Sequence, residues 1–337
     1  MEMSVKIKHR RLFLSAIATS TMAGALMTIG TNATAQDFPS RPVTLVVPYP
    51  AGGSADMFGR TVAQAMEPTL KQSVVVENKP GAAGNLGMTQ VARSKPDGYT
   101  IGLGTIGTQA INPYLYKEMQ FDPAKDLVPI ALVSTTANVI AVAANSPYKS
   151  LQDIINAAKA NKDKKLSYGT PGIGSSPHLT AANFEAVAGI ELLHVPFKGV
   201  SQSMPAVAGG QVDLLFDNLP SSINHIKDGS RIRGIAITSL NRDPAAPELP
   251  TFNESGLKGF DVTAWFALYA PRNTPQPVVN KLIEAARVGL QSDKIKQAYG
   301  KVAATPGNLF GADLAKFEDA ERAKWSKLIQ DKGIKAQ

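Results

Sequence analysis

At 337 residues with 44% hydrophobic content, the chain is long enough to build two lobes around a large core. The absence of cysteine rules out a disulfide framework, a thiol nucleophile, a thiolate metal site and a lipoprotein anchor. The formal charge of +8 is spread along the chain, with no basic run past residue 35 longer than Lys164-Lys165, so no nucleic-acid surface is expected.

Residues 1–35 read as an export signal rather than as part of the fold. Lys6, Lys8, Arg10 and Arg11 form a basic start, 12–29 is an uncharged apolar and small-residue stretch, and Ala33-Thr34-Ala35 is an A-x-A cleavage signal. The mature chain is expected to begin at Gln36 in the periplasm, its charge lowered from +8 to +5 by loss of four basic residues and Glu2. His9-Arg10-Arg11-Leu12-Phe13-Leu14 also resembles a twin-arginine signal, which leaves two export routes open. No later stretch approaches ~20 unbroken apolar residues, so no membrane span is expected.

From there, β-rich runs alternate with amphipathic stretches, the pattern of an α/β fold whose mainly parallel sheets are flanked by helices. Residues 43–47 read as a buried strand closed by Pro48. Met57, Phe58, Val62, Ala65 and Met66 then follow helical spacing, with Ser54 or Asp56 placed to cap the helix start. A strand at 74–76, a helix at 85–93, a turn at Pro96-Asp97-Gly98 and a strand at 99–103 follow. A second lobe is expected to open with a strand at 139–142. It continues with a helix at 151–160 capped by Ser150, a short run at 166–169 and a helix at 178–187. Strands at 192–197, 212–216 and 232–238 complete it, and 243–250 is a surface connection. A strand at 262–269 returns to the first lobe, and helices fill the rest. Lobe 1 is thus expected to be 36–137 plus 264–337 and lobe 2 to be 138–263, with two crossing strands as a hinge beneath a cleft.

In open α/β sheets, ligands sit beyond the carboxyl ends of the strands, where loops enter helices. The first such loop contains Tyr49, Gly52, Gly53, Ser54 and Asp56. Its paired glycines let a ligand approach backbone N–H groups at a positive helix end, although the same residues also make a plain strand-to-helix turn. The second, Gly102-Leu103-Gly104-Thr105-Ile106-Gly107, is a literal G-x-G-x-x-G. A dinucleotide site is not expected there, because Asn112-Pro113 interrupts the helix and Asp122 and Asp126 lie among prolines. Backbone N–H groups at Thr105 and Ile106, with the hydroxyls of Thr105 and Thr108, still suit a carboxylate. The third, running from Gly169 to His178, places Ser175, Ser176 and His178 at a helix start. A serine hydrolase using Ser175 or Ser176 with His178 is the rival reading, but the G-x-S-x-G pattern is missing. Asp217 ends a strand and either accepts a hydrogen bond from a ligand or serves a turn. Lys198 adds charge near the cleft. His178, His194 and His225 share no metal-ligand spacing, so neither a metal nor a cofactor is expected.

At these loops the chain resembles the substrate-binding proteins of tripartite tricarboxylate transporters, the TctC-like or Bug family. The resemblance spans the mature chain. It is carried by Val47-Pro48-Tyr49-Pro50-Ala51-Gly52-Gly53-Ser54-Ala55-Asp56, Glu77-Asn78-Lys79-Pro80-Gly81-Ala82-Ala83-Gly84-Asn85, Gly172-Ile173-Gly174-Ser175-Ser176-Pro177-His178 and His194-Val195-Pro196-Phe197-Lys198-Gly199, in that order. It implies a two-lobed, type II-like periplasmic binding protein, a monomer without catalysis. Such a protein captures a di- or tricarboxylate or an aromatic carboxylate and hands it to an inner-membrane permease of the tripartite type. A sensor docking on a membrane receptor is a further alternative. Carried over residue by residue, the resemblance points to Tyr49, Gly52, Gly53, Ser54, Asp56, Asn85, Thr105 and Thr108, and to Ser175, Ser176, His178, Phe197 and Asp217 in the second lobe. Two positions depart from the family pattern: Phe197 stands where Tyr is frequent, and Ala267 follows Trp265-Phe266 where Gly is common. The more apolar wall suits an aromatic or less polar acid.

Overall fold

A computed structural model of the chain describes residues 38–160 and 163–334. The expected export signal, its cleavage after Ala35 and the twin-arginine motif lie outside these residues. Strand β1 (Val43–Val47), a β-branched run buried on both faces, lies parallel between β2 (Val74–Asn78) and β3 (Thr100–Thr105). Strand β4 (Leu127–Ala143) runs on through the whole sheet. It first pairs with β9 (Thr263–Pro271), which also flanks β3, and with the short β10 (Ala304–Pro306). From Asn138 onward its partners change to β7 (Leu214–Asn218) and β8 (Ile232–Ile237). Outside β7, β5 (Ser167–Thr170) and β6 (Leu193–Pro196) continue the sheet in parallel.

The fold is α/β, as the alternating pattern implies, and the sheet is mixed. Its outer trios β2-β1-β3 and β6-β5-β7 are parallel, whereas every pairing of β4 and β9 is antiparallel. The reason is topological: β4 carries the chain out of one half of the sheet and β9 brings it back. The first stretch of β4 escapes sequence reading because Pro129 interrupts it, and the strand absorbs that proline at an irregularity between Pro129 and Ala131.

Helices cover the faces. Helix α1 (Ser54–Leu70) buries Phe58, Val62 and Met66 against Leu45 and Val47 of β1 and against Leu282 and Ala285. Full burial of such side chains contributes about 1.5–3 kcal/mol each. Helix α2 (Asn85–Ala92) follows β2, and α3 (Leu151–Ala160) starts at a reciprocal cap in which Ser150 N–H donates to Asp153 and Asp153 N–H to Ser150 Oγ. Helix α4 (Ser176–Ala188) follows β5. Helices α5 (Val200–Ala208) and α6 (Leu219–Asp228) follow β6 and β7 and are absent from the sequence-based expectation. Both are short, and Pro205 and Pro220 with their serines blur the periodicity. Helices α7 (Gln276–Gln291), α8 (Asp293–Gly300) and α9 (Ala312–Lys332) complete the chain.

Where β4 changes partners, Thr238 ties the outgoing strand to the returning segment. Asn138 N–H donates to Thr238 Oγ1 at 2.9 Å, and Thr238 Oγ1 donates to Val262 O at 2.5 Å. Thr238→Val keeps the shape and leaves that buried N–H and C=O without the hydroxyl. It is expected to cost about 1–3 kcal/mol in urea unfolding at an unchanged denaturant slope.

Candidate functional site

Five loops leave the carboxyl ends of β1, β3, β5, β6 and β7 and meet around one cavity of about 40 Å³. Its lining is drawn from helix starts: Gly53 and Ser54 of α1, Ser175 and Ser176 of α4, Gly199 and Val200 of α5, and Asn218 preceding α6. Thr105 and Ile106 add the entry to a π-helical turn, Gly107–Ile111. Each helix start presents unpaired N–H groups and roughly half a positive charge. No Lys, Arg or His lines the cavity, so the positive charge it can offer an anion is that of the helix-start dipoles. Apolar walls come from Tyr49, Trp265 and Phe266.

The polar side chains hold one another in place. Ser175 Oγ donates to Gly172 O at 2.7 Å and accepts from His178 N–H at 3.4 Å, the geometry of a helix cap. Ser176 Oγ accepts from Asn218 Nδ2 at 3.1 Å, and that same amide donates to Asn138 Oδ1 at 2.6 Å. Asp217 accepts from Ser221 Oγ and Ser222 Oγ, each at 2.6 Å. Burial pushes the Asp217 carboxyl up to about 6, with those hydroxyls opposing the rise. Burial likewise pushes the Tyr49 phenol up to about 12, and its O–H donates to Ala83 O at 3.0 Å.

The two halves of the sheet touch around the cavity. Ser54 Oγ donates to Ser221 Oγ at 3.0 Å, and Tyr116 O–H donates to Ile173 O at 2.8 Å. Gly107 lies so close to the opposite loop that a Cβ there would stand 2.7 Å from Gly174 O. Gly174, at φ +88°, leaves no room either: its Cβ would meet Asn112 Oδ1 at 2.1 Å.

Of the residues singled out in the sequence, Tyr49, Gly53, Ser54, Thr105, Ile106, Ser175, Ser176 and Asp217 line the cavity. The remaining six stand outside it. Asp56 is turned into the protein, where Arg60, Asn78 and Gly52 N–H bind its carboxylate. Burial alone would raise its pKa, and those partners outweigh burial and hold it low. Gly52 takes part through its backbone N–H, 3.1 Å from Asp56 Oδ2. Asn85 Oδ1 accepts from Asn112 Nδ2 at 2.8 Å, and Thr108 Oγ1 closes a local turn by accepting from Thr105 N–H at 2.9 Å. Phe197 packs over Gly169 and lines a neighbouring space. His178 points away from both serine hydroxyls; its Nδ1 accepts from Gly174 N–H at 3.2 Å and its ring stacks on His194 at 4.4 Å. Burial pulls it down to about 4, so it is neutral near pH 7. The serine–histidine pair that a hydrolase requires is therefore not formed.

A family model described as the tripartite tricarboxylate transporter family receptor matches residues 58–334. The chain belongs to this receptor family. A Pseudomonas sp. (strain P51) protein encoded in the tcbD-tcbE intergenic region is 34% identical over 97% of this chain and 96% of its own length. An R. palustris structure with adipate is 35% identical, with a TM-score of 0.85 over 89% of this chain and 99% of that one. MatC from Rhodopseudomonas palustris with bound malate is 30% identical, with a TM-score of 0.82 over 87% of this chain and all of that one.

In this receptor the sequence reading misses Asn138, Asn218, Ser221 and Val200, none of which sits in a glycine-rich loop. The available signal is position, since Asn218 ends β7 directly after Asp217 and Ser221 follows it. Behind the cavity, the Trp265 indole donates to Glu321 Oε2 at 2.9 Å, and Trp325 donates to the same oxygen at 3.2 Å. Among the described residues, no three His, Asp or Glu side chains are grouped to hold a metal. No described helix is long and apolar enough to cross a membrane.

Proposed function

We propose that this receptor captures a small carboxylate in the cavity, is exported to the periplasm by a signal cut after Ala35, and delivers the ligand to a tripartite-type membrane permease. The observation that carries the reading is the meeting of the α1, α4, α5 and α6 starts in a space with hydroxyls but no cationic side chain. Such a site neutralises a carboxylate through N–H groups already in place, without a flexible arginine to immobilise. The adipate and malate of the two R. palustris structures support the ligand class.

The two lobes are 36–137 plus 264–337 and 138–263, and the protein acts as a monomer without catalysis. The partner change of β4 at Asn138 supports that division. Ligand closes the cleft, and the contacts across it, Ser54 with Ser221 and Tyr116 with Ile173, belong to the closed form.

The test is a thermal shift of the mature chain against carboxylates and their amides. A ligand at ~100 times its Kd adds ~2.7 kcal/mol to the native state. An acid that stabilises while its amide does not is the expected result, and a flat response to every acid overturns the reading. The receptor has two tryptophans, one of them on the cavity wall. Trp325→Phe leaves Trp265 as a single reporter, and saturable quenching or shifting of its emission by the stabilising acid is expected.

A further inference from the structure

We propose that the space beside the cavity is a second ligand compartment, which takes a planar apolar tail ending in a second acidic group near Lys198. The proposal rests on the carboxylate reading above and extends it to the far end of the ligand. The inner cavity, at about 40 Å³, has room for a head group and little more. By the ~10–15 Å³ that one water requires, it holds roughly three. The neighbouring space is about 510 Å³, and Tyr49 and Pro171 are walls of both. A ligand larger than its carboxylate therefore has a roomy way outward past Tyr49.

The chemistry of that outer space differs from that of the inner one. Aromatic side chains face it from both sides of the cleft, Tyr49 and Tyr116 on one and Phe197 on the other. Aromatic walls suit a flat body, which they grip by stacking and edge contacts. Lys198 is the one charged side chain lining the space, and it makes no ion pair among the described residues. Opposite it, four successive residues hold positive φ: Gly81 at +142°, Ala82 at +46°, Ala83 at +51° and Gly84 at +92°. Two of them are alanines, for which this conformation costs on the order of 1 kcal/mol each. Tyr49 O–H and Asn112 Nδ2 both donate to Ala83 O and hold the loop there. The strained loop, the aromatic walls and an unpaired cation thus share one space that adjoins the head-group site.

Isothermal titration with three acids sharing a propionate head tests the proposal: propionate, 3-phenylpropionate and 3-(4-carboxyphenyl)propionate. The expected order of affinity rises along that series, with at least tenfold between the first two. Lys198→Gln is expected to narrow the preference for the diacid over 3-phenylpropionate by about threefold, in line with the modest strength of an exposed ion pair. Phe197→Ala is expected to weaken both aryl acids relative to propionate. Equal affinities across the series, or equal losses for all three acids in Lys198→Gln, overturn the second compartment while leaving carboxylate capture standing. No binding of any acid, with a flat thermal shift, overturns the head-group reading itself.

Discussion

Gly107→Val is expected to weaken carboxylate binding by at least 100-fold while leaving the urea midpoint close to that of the parent chain. The reason is where a side chain at this position would go. Within its own half of the sheet its Cβ comes within 3.3 Å of Thr105 Oγ1, a hydroxyl that can turn aside. Across the cleft it meets the backbone carbonyl of Gly174 at 2.7 Å, and that oxygen belongs to a loop already pressed against Asn112. An ordinary carbon–oxygen contact would need the two sides to separate by roughly 0.5–1 Å, and valine adds two more methyl groups. Interiors are packed too densely to absorb such a shift locally, so the cleft as a whole must open. A 100-fold loss corresponds to about 2.7 kcal/mol, the size expected when closure around the ligand is prevented. Titration calorimetry measures the affinity, and small-angle scattering with and without ligand measures the closure. Binding as tight as in the parent chain would show that capture does not require the closed arrangement.

Asp217→Asn is expected to tighten binding at pH 8 by tenfold or more and to flatten its pH dependence. Asp217 lines a cavity proposed to hold an anion, and burial has already pushed its carboxyl up to about 6. A bound carboxylate raises it further, because two like charges in one buried site disfavour joint ionisation. Binding therefore takes up part of a proton, and affinity should rise as pH falls from 8 through 6, by at most tenfold per unit. The rise ends where the ligand itself protonates, near pH 4–5 for common carboxylic acids. The ligand-free fold carries the same sign. Since the folded value lies above the usual carboxylate value, this group's contribution favours the fold most below about pH 4 and is lost as pH rises through about 6. A ligand with its own hydroxyl or amine would reverse the picture. Asp217 would then accept a hydrogen bond, affinity would rise with pH, and the asparagine variant would bind more weakly.

Both expectations turn on residues that differ in how far the sequence exposed them. Asp217 was legible because an acid directly after Leu214-Leu215-Phe216 sits at a strand's carboxyl end. Asp56 carried an equal claim, in a loop with paired glycines, and lost it to a partner one helical turn away. Arg60 and, across the turn, Asn78 bind its carboxylate and face it inward. His178 is a candidate base for Ser175 or Ser176 in the sequence because it shares their helix start, three positions past Ser175. The cap between Ser175 Oγ and the His178 N–H uses that spacing up, and the ring goes to His194 on β6 instead.

The sequence by itself determined the α/β class, most strands, and three of the five loops around the cavity. Those features depend on local preferences: β-branched runs, helical periodicity, and glycines or hydroxyls where a strand turns into a helix. Tertiary structure alone decided which hydroxyls face the cavity, that α5 and α6 bring two more helix starts to it, and that Gly107 and Gly174 nearly touch. These depend on distances between segments remote in the chain, such as Ser54 and Ser221 or Ser176 and Asn138, which packing establishes and no local pattern encodes.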